Sequence, residues 1–146
     1  LGHWWHVEGQ VCQGDQRGRT IGFPTANILL EGYKEPKYGV YAVRIIIECG
    51  PGKGTWEAIA NVGRRPTFNK KDVLLEIYIF NFNFDIYGQS VKVEFVDFIR
   101  PEYKFDGLES LKKQIGKDCL VAKKILSKTE NQQSFIPSPQ LADHIS

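Results

Sequence analysis

The hydrophobic pattern of this chain changes its period once, and that change limits the folds that are open to it. Over about the first hundred residues, short runs of alternating or β-branched apolar residues are separated by glycine and proline. From Leu108 the apolar residues recur every three or four positions, as at Leu111, Ile115, Cys119 and Ala122, which is typical of one face of an amphipathic helix. The pattern therefore predicts a small antiparallel barrel or sandwich followed by one C-terminal helix.

Five runs carry the strand signal, at residues 5–11, 39–48, 55–62, 73–82 and 90–99. The PGKG sequence at residues 51–54 is a turn signal, so the second and third runs are predicted to pair as a hairpin. The polar positions of the helix predict a solvated face, made of Lys112, Lys113, Lys117, Asp118, Lys123 and Lys124. After Leu126 the chain is polar and carries two prolines, which predicts a domain over residues 1–126 and a polar C-terminal tail over residues 127–146.

Composition and charge exclude several classes of protein. Of 146 residues, 42% are hydrophobic and 25% are charged, and 19 Lys and Arg against 17 Asp and Glu give a net charge of +2. These values fit a soluble domain. The nearly equal numbers of positive and negative charges argue against a protein that mainly binds nucleic-acid phosphates. No apolar run approaches the ~18 residues of a membrane span. The wide spacing of Cys12, Cys49 and Cys119 favours reduced thiols in a cytoplasmic protein over a disulfide framework or a zinc site.

The segment GDQRGRTIGFPTAN, at residues 14–27, has the chemistry of a phosphate-binding loop. Glycines let the backbone approach an anion, and Arg17 and Arg19 add positive charge. Thr25 and Asn27 are two apart, so in an extended segment their side chains face the same way and offer oxygen ligands to Mg²⁺. Composition alone favours the alternative, a surface loop followed by an asparagine that caps a turn.

Glu76 is the sole charge between residues 73 and 85. The neighbours of the same strand parity are Leu74, Tyr78 and Phe80, so Glu76 is predicted to point where apolar groups point. A carboxylate in such surroundings suits a general base. The alternatives are an outward-facing strand residue or an ion pair with a nearby arginine. The candidate partners are Arg44, Arg64 and Arg65.

A third segment, IRPEYKFDGLESL at residues 99–111, joins the last strand to the helix. Arg100 with the aromatic residues Tyr103 and Phe105 suits a flat, conjugated ligand that stacks and hydrogen-bonds. A loop that leads into a helix, with Phe105 packed as a hydrophobic staple, explains the same residues. The residues themselves leave both explanations open.

Together these segments resemble the riboflavin kinase family. The resemblance rests on five stretches in order: GDQRGRTIGFPTAN (14–27), GVYAV (39–43), NVGRRPTF (61–68), LEIYIFNFNFDIYG (75–88) and FIRPEYKFDGLESLKKQI (98–115). It covers residues 1–126 and is closest to the bacterial form. In that form the domain is usually the C-terminal half of a bifunctional FAD synthetase. Since the chain starts at Leu1 and contains no Met, an FMN adenylyltransferase domain is expected before it in the full-length protein.

The resemblance implies a six-stranded Greek-key barrel with a C-terminal helix, and the reaction riboflavin + ATP → FMN + ADP with Mg²⁺. It makes Glu76 the general base for the ribityl 5′-hydroxyl. It implies nucleotide binding by Gly14, Arg19, Thr25, Asn27, Ile79, Asn81 and Tyr87, metal binding by Thr25 and Asn27, and flavin binding by Arg100, Tyr103 and Phe105. Two alternatives remain from the residues, a non-catalytic flavin- or nucleotide-binding module and an RNA-binding β-barrel. The kinase interpretation expects neither nucleic acid nor a membrane as a partner.

Overall fold

The computed structural model describes residues 5–12, 22–30, 36–66 and 71–132, and these residues form a closed barrel of six antiparallel strands with one helix. The strands are β1 (Trp5–Cys12), β2 (Ala26–Leu29), β3 (Gly39–Ile47), β4 (Gly54–Pro66), β5 (Lys71–Ile79) and β6 (Ser90–Pro101), and the helix is α1 (Leu108–Gln132). Across this described part of the chain, no helix has the length and apolar character needed to cross a bilayer.

The strands follow one another around the barrel in the order β1-β2-β5-β4-β3-β6, and β6 closes it against β1. Strands β3, β4 and β5 are consecutive neighbours and β6 returns beside β3, which is the Greek-key arrangement. The predicted hairpin between residues 39–48 and 55–62 is the β3–β4 pair, with Ile47 opposite Gly54. The six-stranded Greek-key barrel with a C-terminal helix is thus confirmed.

The barrel interior is filled by every second side chain of the strands, because strand residues alternate between two faces. Burying one Val, Leu or Ile side chain contributes about 1.5–3 kcal/mol. Interior side chains with no exposed area include Val7, Ile28, Val43, Ile45, Leu75, Ile77 and Val93. The central row of each strand is therefore held firmly in its register.

The helix covers one outer face of the barrel. Its buried residues Cys119, Ala122 and Leu126 pack on outward-facing apolar residues of β3, β4 and the end of β5. Arg44 of β3 donates a hydrogen bond to the carbonyl oxygen of Leu126 at 3.0 Å. The predicted apolar stripe is confirmed over these positions, whereas Leu108, at the helix start, is 44% exposed.

The helix runs to Gln132, six residues beyond the predicted end of the domain at residue 126. Thr129 supports this last part, because its Oγ1 donates to the carbonyl oxygen of Ile125 at 2.9 Å. Polar residues continue a helix easily once its preceding turns are packed. The rest of the predicted tail lies outside the described residues, and the division into domain and tail stays a prediction.

Candidate active site

Strand register places a line of polar side chains on the outer face of the barrel. Asn27 of β2 lies opposite Glu76 of β5, and Glu76 lies opposite Asn61 of β4. Asn61 in turn lies opposite Val40 of β3, which lies opposite Arg100 of β6. Directly opposite residues point to the same face with Cβ atoms about 5 Å apart. We call Asn27, Glu76, Asn61 and Arg100 the polar row.

Glu76 points out of the barrel, because its neighbours Leu75 and Ile77 fill the interior. As predicted, it shares its face with apolar residues: Tyr78 and Phe80 belong to the cluster under α1. Tyr78 also meets Phe23 edge to face, at a ring-centroid distance of 5.0 Å. Burial, with a smaller effect of Cys119, raises the pKa of Tyr78, so its hydroxyl keeps its proton near neutral pH. Glu76 itself is half-buried and lines the same cleft as Tyr78 and Phe23.

A cleft of about 770 Å³ lies along Glu76, Asn61 and Arg100 of the polar row, between the barrel, the loop after β6 and the first turns of α1, and Asn27 is not among its lining residues. That volume suits a small-molecule ligand. The predicted site residues Thr25, Glu76, Arg100, Tyr103 and Phe105 all line it. Its other lining residues are Phe23, Val40, Ile59, Ala60, Asn61, Arg64, Tyr78, Glu102, Lys104, Leu111, Ile115 and Asp118.

Two side chains with oxygen atoms that suit a hard cation, Thr25 and Asn27, belong to the β2 end of the row. Asn27 is 2% exposed, and its Oδ1 has no hydrogen-bond partner among the described residues. Thr25 lines the cleft two residues earlier. Within the described ranges no group of three or more His, Cys, Asp and Glu could hold a metal. This sparse oxygen set fits Mg²⁺, which usually keeps several waters and substrate phosphates as ligands.

Arg100 ends the row in a buried ion pair with Asp118 of α1. Its Nε donates to the two carboxylate oxygens of Asp118 at 3.0 and 3.1 Å, and its Nη2 donates at 2.8 Å. Gln114 of the helix donates to the same carboxylate at 3.0 Å. The guanidinium lies 4.7 Å from the ring centroid of Tyr103 and 5.6 Å from that of Phe105. Arg100 therefore joins α1 to the aromatic loop of the cleft.

The backbone at the start of β3 comes unusually close to Arg100. Gly39 has a φ of +147°, and a Cβ there would collide with the carbonyl oxygen of Arg100 and lie 2.7 Å from the Phe98 ring. Register shifts on either side of the pair Tyr41 and Ala42 let β6 continue beside β3. Glycine at position 39 is therefore needed to bring Arg100 opposite Val40.

Asn61 and Glu102 form a second polar contact in the cleft. The Nδ2 of Asn61 donates to the Oε2 of Glu102 at 2.7 Å, and both residues are half-buried. Glu102 directly follows Pro101, the last residue of β6. This hydrogen bond ties the loop after β6 to the centre of the polar row.

The remaining predicted site residues lie apart from this cleft or outside the described residues. Ile79 packs inside the barrel at 6% exposure, Asn81 has a φ of +55° just after β5, and Tyr87 is 63% exposed in the following loop. None of the three lines the cleft. Gly14 and Arg19 fall outside the described residues. The nucleotide-binding role of all five stays a prediction.

The sequence reasoning missed Asn61, Glu102 and Asp118 as site residues. Asp118 was expected on the solvated helix face, and this was wrong: it is 2% exposed, whereas Lys117 beside it is exposed. A signal was present, because Asp118 follows Leu111 and Ile115 at helical spacing and so shares their buried face. Asn61 and Glu102 carry no comparable signal.

These features of the cleft define a class of protein. The cleft is lined by the Glu76 carboxylate and Thr25, with the buried amide of Asn27 next to Glu76 in the strand register, and by an aromatic loop beside the paired Arg100. Such a cleft suits an enzyme that stacks a flat ring and acts on a polar group some distance from it. The arrangement is that of a small-molecule enzyme built on a β-barrel.

Comparisons with known proteins identify the family. The family model for riboflavin kinase (Flavokinase) matches residues 1–126, and the chain belongs to this family. A bifunctional riboflavin kinase/FMN adenylyltransferase from Haemophilus influenzae is 46% identical over 123 residues, covering 84% of this chain and 39% of that protein. The chain spans about two fifths of the length of the curated relatives it matches.

Solved structures agree with the fold. The crystal structure of riboflavin kinase from Trypanosoma brucei superposes with a TM-score of 0.61 at 25% identity, covering 90% of this chain and 85% of that one. A crystal structure named as a macrolide-efflux protein, from Streptococcus pneumoniae, superposes with a TM-score of 0.71 at 39% identity, covering 81% of this chain and 38% of that one.

Proposed function

We propose that this chain is a riboflavin kinase that transfers the γ-phosphate of ATP to the ribityl 5′-hydroxyl of riboflavin. The products are FMN and ADP. The observation that carries the proposal is the position of Glu76, which lies in register between Asn27 and Asn61 on the wall of the cleft. A carboxylate placed there is close both to the oxygen donors of β2 and to a cleft of suitable size for a flavin.

Glu76 acts as the general base. The 5′-hydroxyl gives its proton to the Glu76 carboxylate while its oxygen forms a bond to the γ-phosphorus, and the bond between that phosphorus and ADP breaks. Phosphoryl transfer needs mainly positioning and neutralisation of charge, so a single base adds a modest further gain. The flat flavin ring stacks at the opposite end of the cleft, against the loop that carries Tyr103 and Phe105.

The Thr25 hydroxyl and the Asn27 amide oxygen would hold the Mg²⁺ that accompanies ATP. The buried Oδ1 of Asn27, which has no partner among the described residues, supports this assignment. When bound, the metal neutralises charge on the phosphates. The nucleotide is proposed to extend from there toward Ile79, Asn81 and Tyr87, with Gly14 and Arg19 as further nucleotide-binding residues.

The whole protein is proposed to be a bifunctional FAD synthetase. An FMN adenylyltransferase domain would precede this kinase domain, because the curated relatives carry both activities in their names and are more than twice as long. The free cysteines among the described residues fit the reducing cytoplasm as its location.

The test is incubation with riboflavin, ATP and Mg²⁺, followed by chromatography for FMN and FAD. We expect FMN from this chain, and FAD only when the adenylyltransferase domain is joined to it. Glu76→Gln should lower kcat by roughly 10²–10⁴ and leave nucleotide binding nearly intact. Glu48→Gln, an exposed carboxylate just beyond β3, is the matched control. Wild-type turnover by Glu76→Gln would reject the base assignment.

A further inference from the structure

We infer that Asn61 and Glu102 form a polyol subsite, which recognises the secondary hydroxyls of the ribityl chain. The inference rests on the proposed kinase function and extends it to substrate specificity. Neither residue belongs to the machinery proposed above for the base, the metal or the ring. Together they would decide which side chain a flavin must carry to be phosphorylated.

The contact between the two residues orients the Glu102 carboxylate as a hydrogen-bond acceptor. The Nδ2 of Asn61 donates to the Oε2 of Glu102 at 2.7 Å, which holds the Glu102 carboxylate in one orientation on the cleft wall. An ionised carboxylate offers about four lone-pair sites, so it can also accept bonds from ligand hydroxyls. Hydrogen bonds to charged acceptors are stronger than neutral ones. The pair is therefore suited to a ligand rich in O–H donors.

The spacing of the polar row matches the length of a ribityl chain. Adjacent strands lie about 4.8 Å apart, so Asn61 lies about 5 Å from Glu76, and Arg100, three strands from Glu76, lies about 14 Å from it along the barrel surface. A five-carbon chain with bonds of about 1.5 Å spans about 7 Å between its terminal oxygen and the ring nitrogen. With the 5′-hydroxyl at Glu76, the secondary hydroxyls pass Asn61 and Glu102, and the ring begins near Val40.

The phosphates and the polyol are expected on opposite sides of Glu76. Glu76, Glu102 and Asp118 line the cleft together with Arg64, Arg100 and Lys104, and the guanidinium of Arg100 is paired with Asp118. Carboxylates accept hydrogen bonds from neutral hydroxyls. Asn27, the proposed metal ligand, lies opposite Glu76 on β2, and Asn61 lies opposite it on β4. The phosphates are accordingly expected on the Asn27 side of Glu76 and the polyol on the Asn61 side.

The experiment compares two substrates across four proteins. The substrates are riboflavin and a flavin with a 5-hydroxypentyl chain, which keeps the ring and the terminal hydroxyl but lacks the three secondary hydroxyls. The proteins are the wild type, Glu102→Gln, Asn61→Ala and the control Glu48→Gln. For each pair we measure kcat/KM for phosphorylation and Kd by quenching of flavin fluorescence.

We expect Glu102→Gln and Asn61→Ala to lower kcat/KM for riboflavin by about 10- to 100-fold, with weaker riboflavin binding, since each removes or misorients a charge-assisted bond. For the hydroxypentyl flavin both variants should stay within about threefold of the wild type, because those bonds are never made. Equal losses with both flavins, or no loss with either, would overturn the subsite. Failure of the wild type to phosphorylate or bind riboflavin would instead reject the proposed function.

Discussion

Replacing Asp118 by asparagine removes the counter-ion of a guanidinium that lies beneath the aromatic loop of the cleft. The structure gives this carboxylate three hydrogen bonds from Arg100 at 2.8–3.1 Å and one from Gln114 at 3.0 Å. The side chain of Asp118 is 2% exposed and that of Arg100 is 14% exposed. The substitution keeps the volume and shape of residue 118, so the change isolates the charge.

The size of the effect follows from burial. Removing one partner of a fully buried ion pair costs about 3–5 kcal/mol, because the other charge stays buried without compensation. Arg100 retains some exposure and also donates to the carbonyl oxygen of Pro101 at 3.1 Å, which lowers that cost. The asparagine keeps one acceptor oxygen but directs an amide N–H₂ toward the guanidinium. We expect the free energy of unfolding to fall by about 2–4 kcal/mol.

The same variant should also bind riboflavin more weakly. Arg100 stacks on Tyr103 and Phe105, so a displaced guanidinium moves the wall on which the flavin ring is proposed to lie. The KM for riboflavin should rise about tenfold, with a smaller change in the KM for ATP. Urea unfolding gives the stability, and initial rates at saturating co-substrate give the two KM values. Glu109→Gln, an exposed carboxylate in the first turn of the same helix, is the control and should stay within about 0.5 kcal/mol.

Two results would refute this reasoning. One is a free energy of unfolding for Asp118→Asn that equals that of Glu109→Gln, since a buried counter-ion cannot be removed without cost. The other is an equal rise in both KM values, which would mean that the ion pair supports the whole fold and has no particular connection to the flavin end of the cleft.

Two further predictions concern the metal and alkaline pH. Asn27→Ala should weaken Mg²⁺–ATP binding more than riboflavin binding, and a calorimetric titration with unchanged Mg²⁺–ATP affinity would reject the metal assignment. Burial raises the pKa of the Cys119 thiol to about 11 from an ordinary value of 9.0, so the folded state holds its proton longer than the unfolded state. The stabilisation is complete below pH 9 and is lost as the pH rises toward 11. Between pH 8 and 11 the wild type should lose about 2 kcal/mol more than Cys119→Ala, and equal losses in urea titrations would contradict this.

Local patterns in the sequence were sufficient for five strands and the helix because each has a strong period of its own. Strand β2, with four residues (Ala26–Leu29), has no such period. The local pattern allowed five or six strands but located none there, and the family resemblance implied six. The place of β2 depends on partners distant in the chain, since Val11 of β1 and Leu75 of β5 flank Ile28. A short strand between two others forms because it packs and pairs with those neighbouring strands. The local sequence of the short strand carries no information about these partners.

The site residues also separate into those that the local sequence could identify and those that it could not. Glu76 could be singled out because a charge within an apolar run is unusual, and Arg100 because it precedes two aromatic residues in the loop that leads to the helix. Asn61 and Glu102 could not, because an asparagine in a strand and a glutamate after a proline are ordinary. They acquire a role only when the β4–β5 register brings Asn61 beside Glu76 and the loop after β6 folds back onto it.

The strand register that forms the polar row also explains how a small barrel can position Glu76 accurately. A slip of one residue in β5 would reverse every side chain of the strand. Glu76 would then enter the barrel interior, while Leu75 and Ile77, which have no exposed area now, would turn to the outer face. Burying an unpaired carboxylate and exposing two apolar side chains would each cost several kcal/mol. The packing that stabilises the barrel therefore also fixes the distance and direction of Glu76 from the proposed metal ligands and from the proposed polyol subsite.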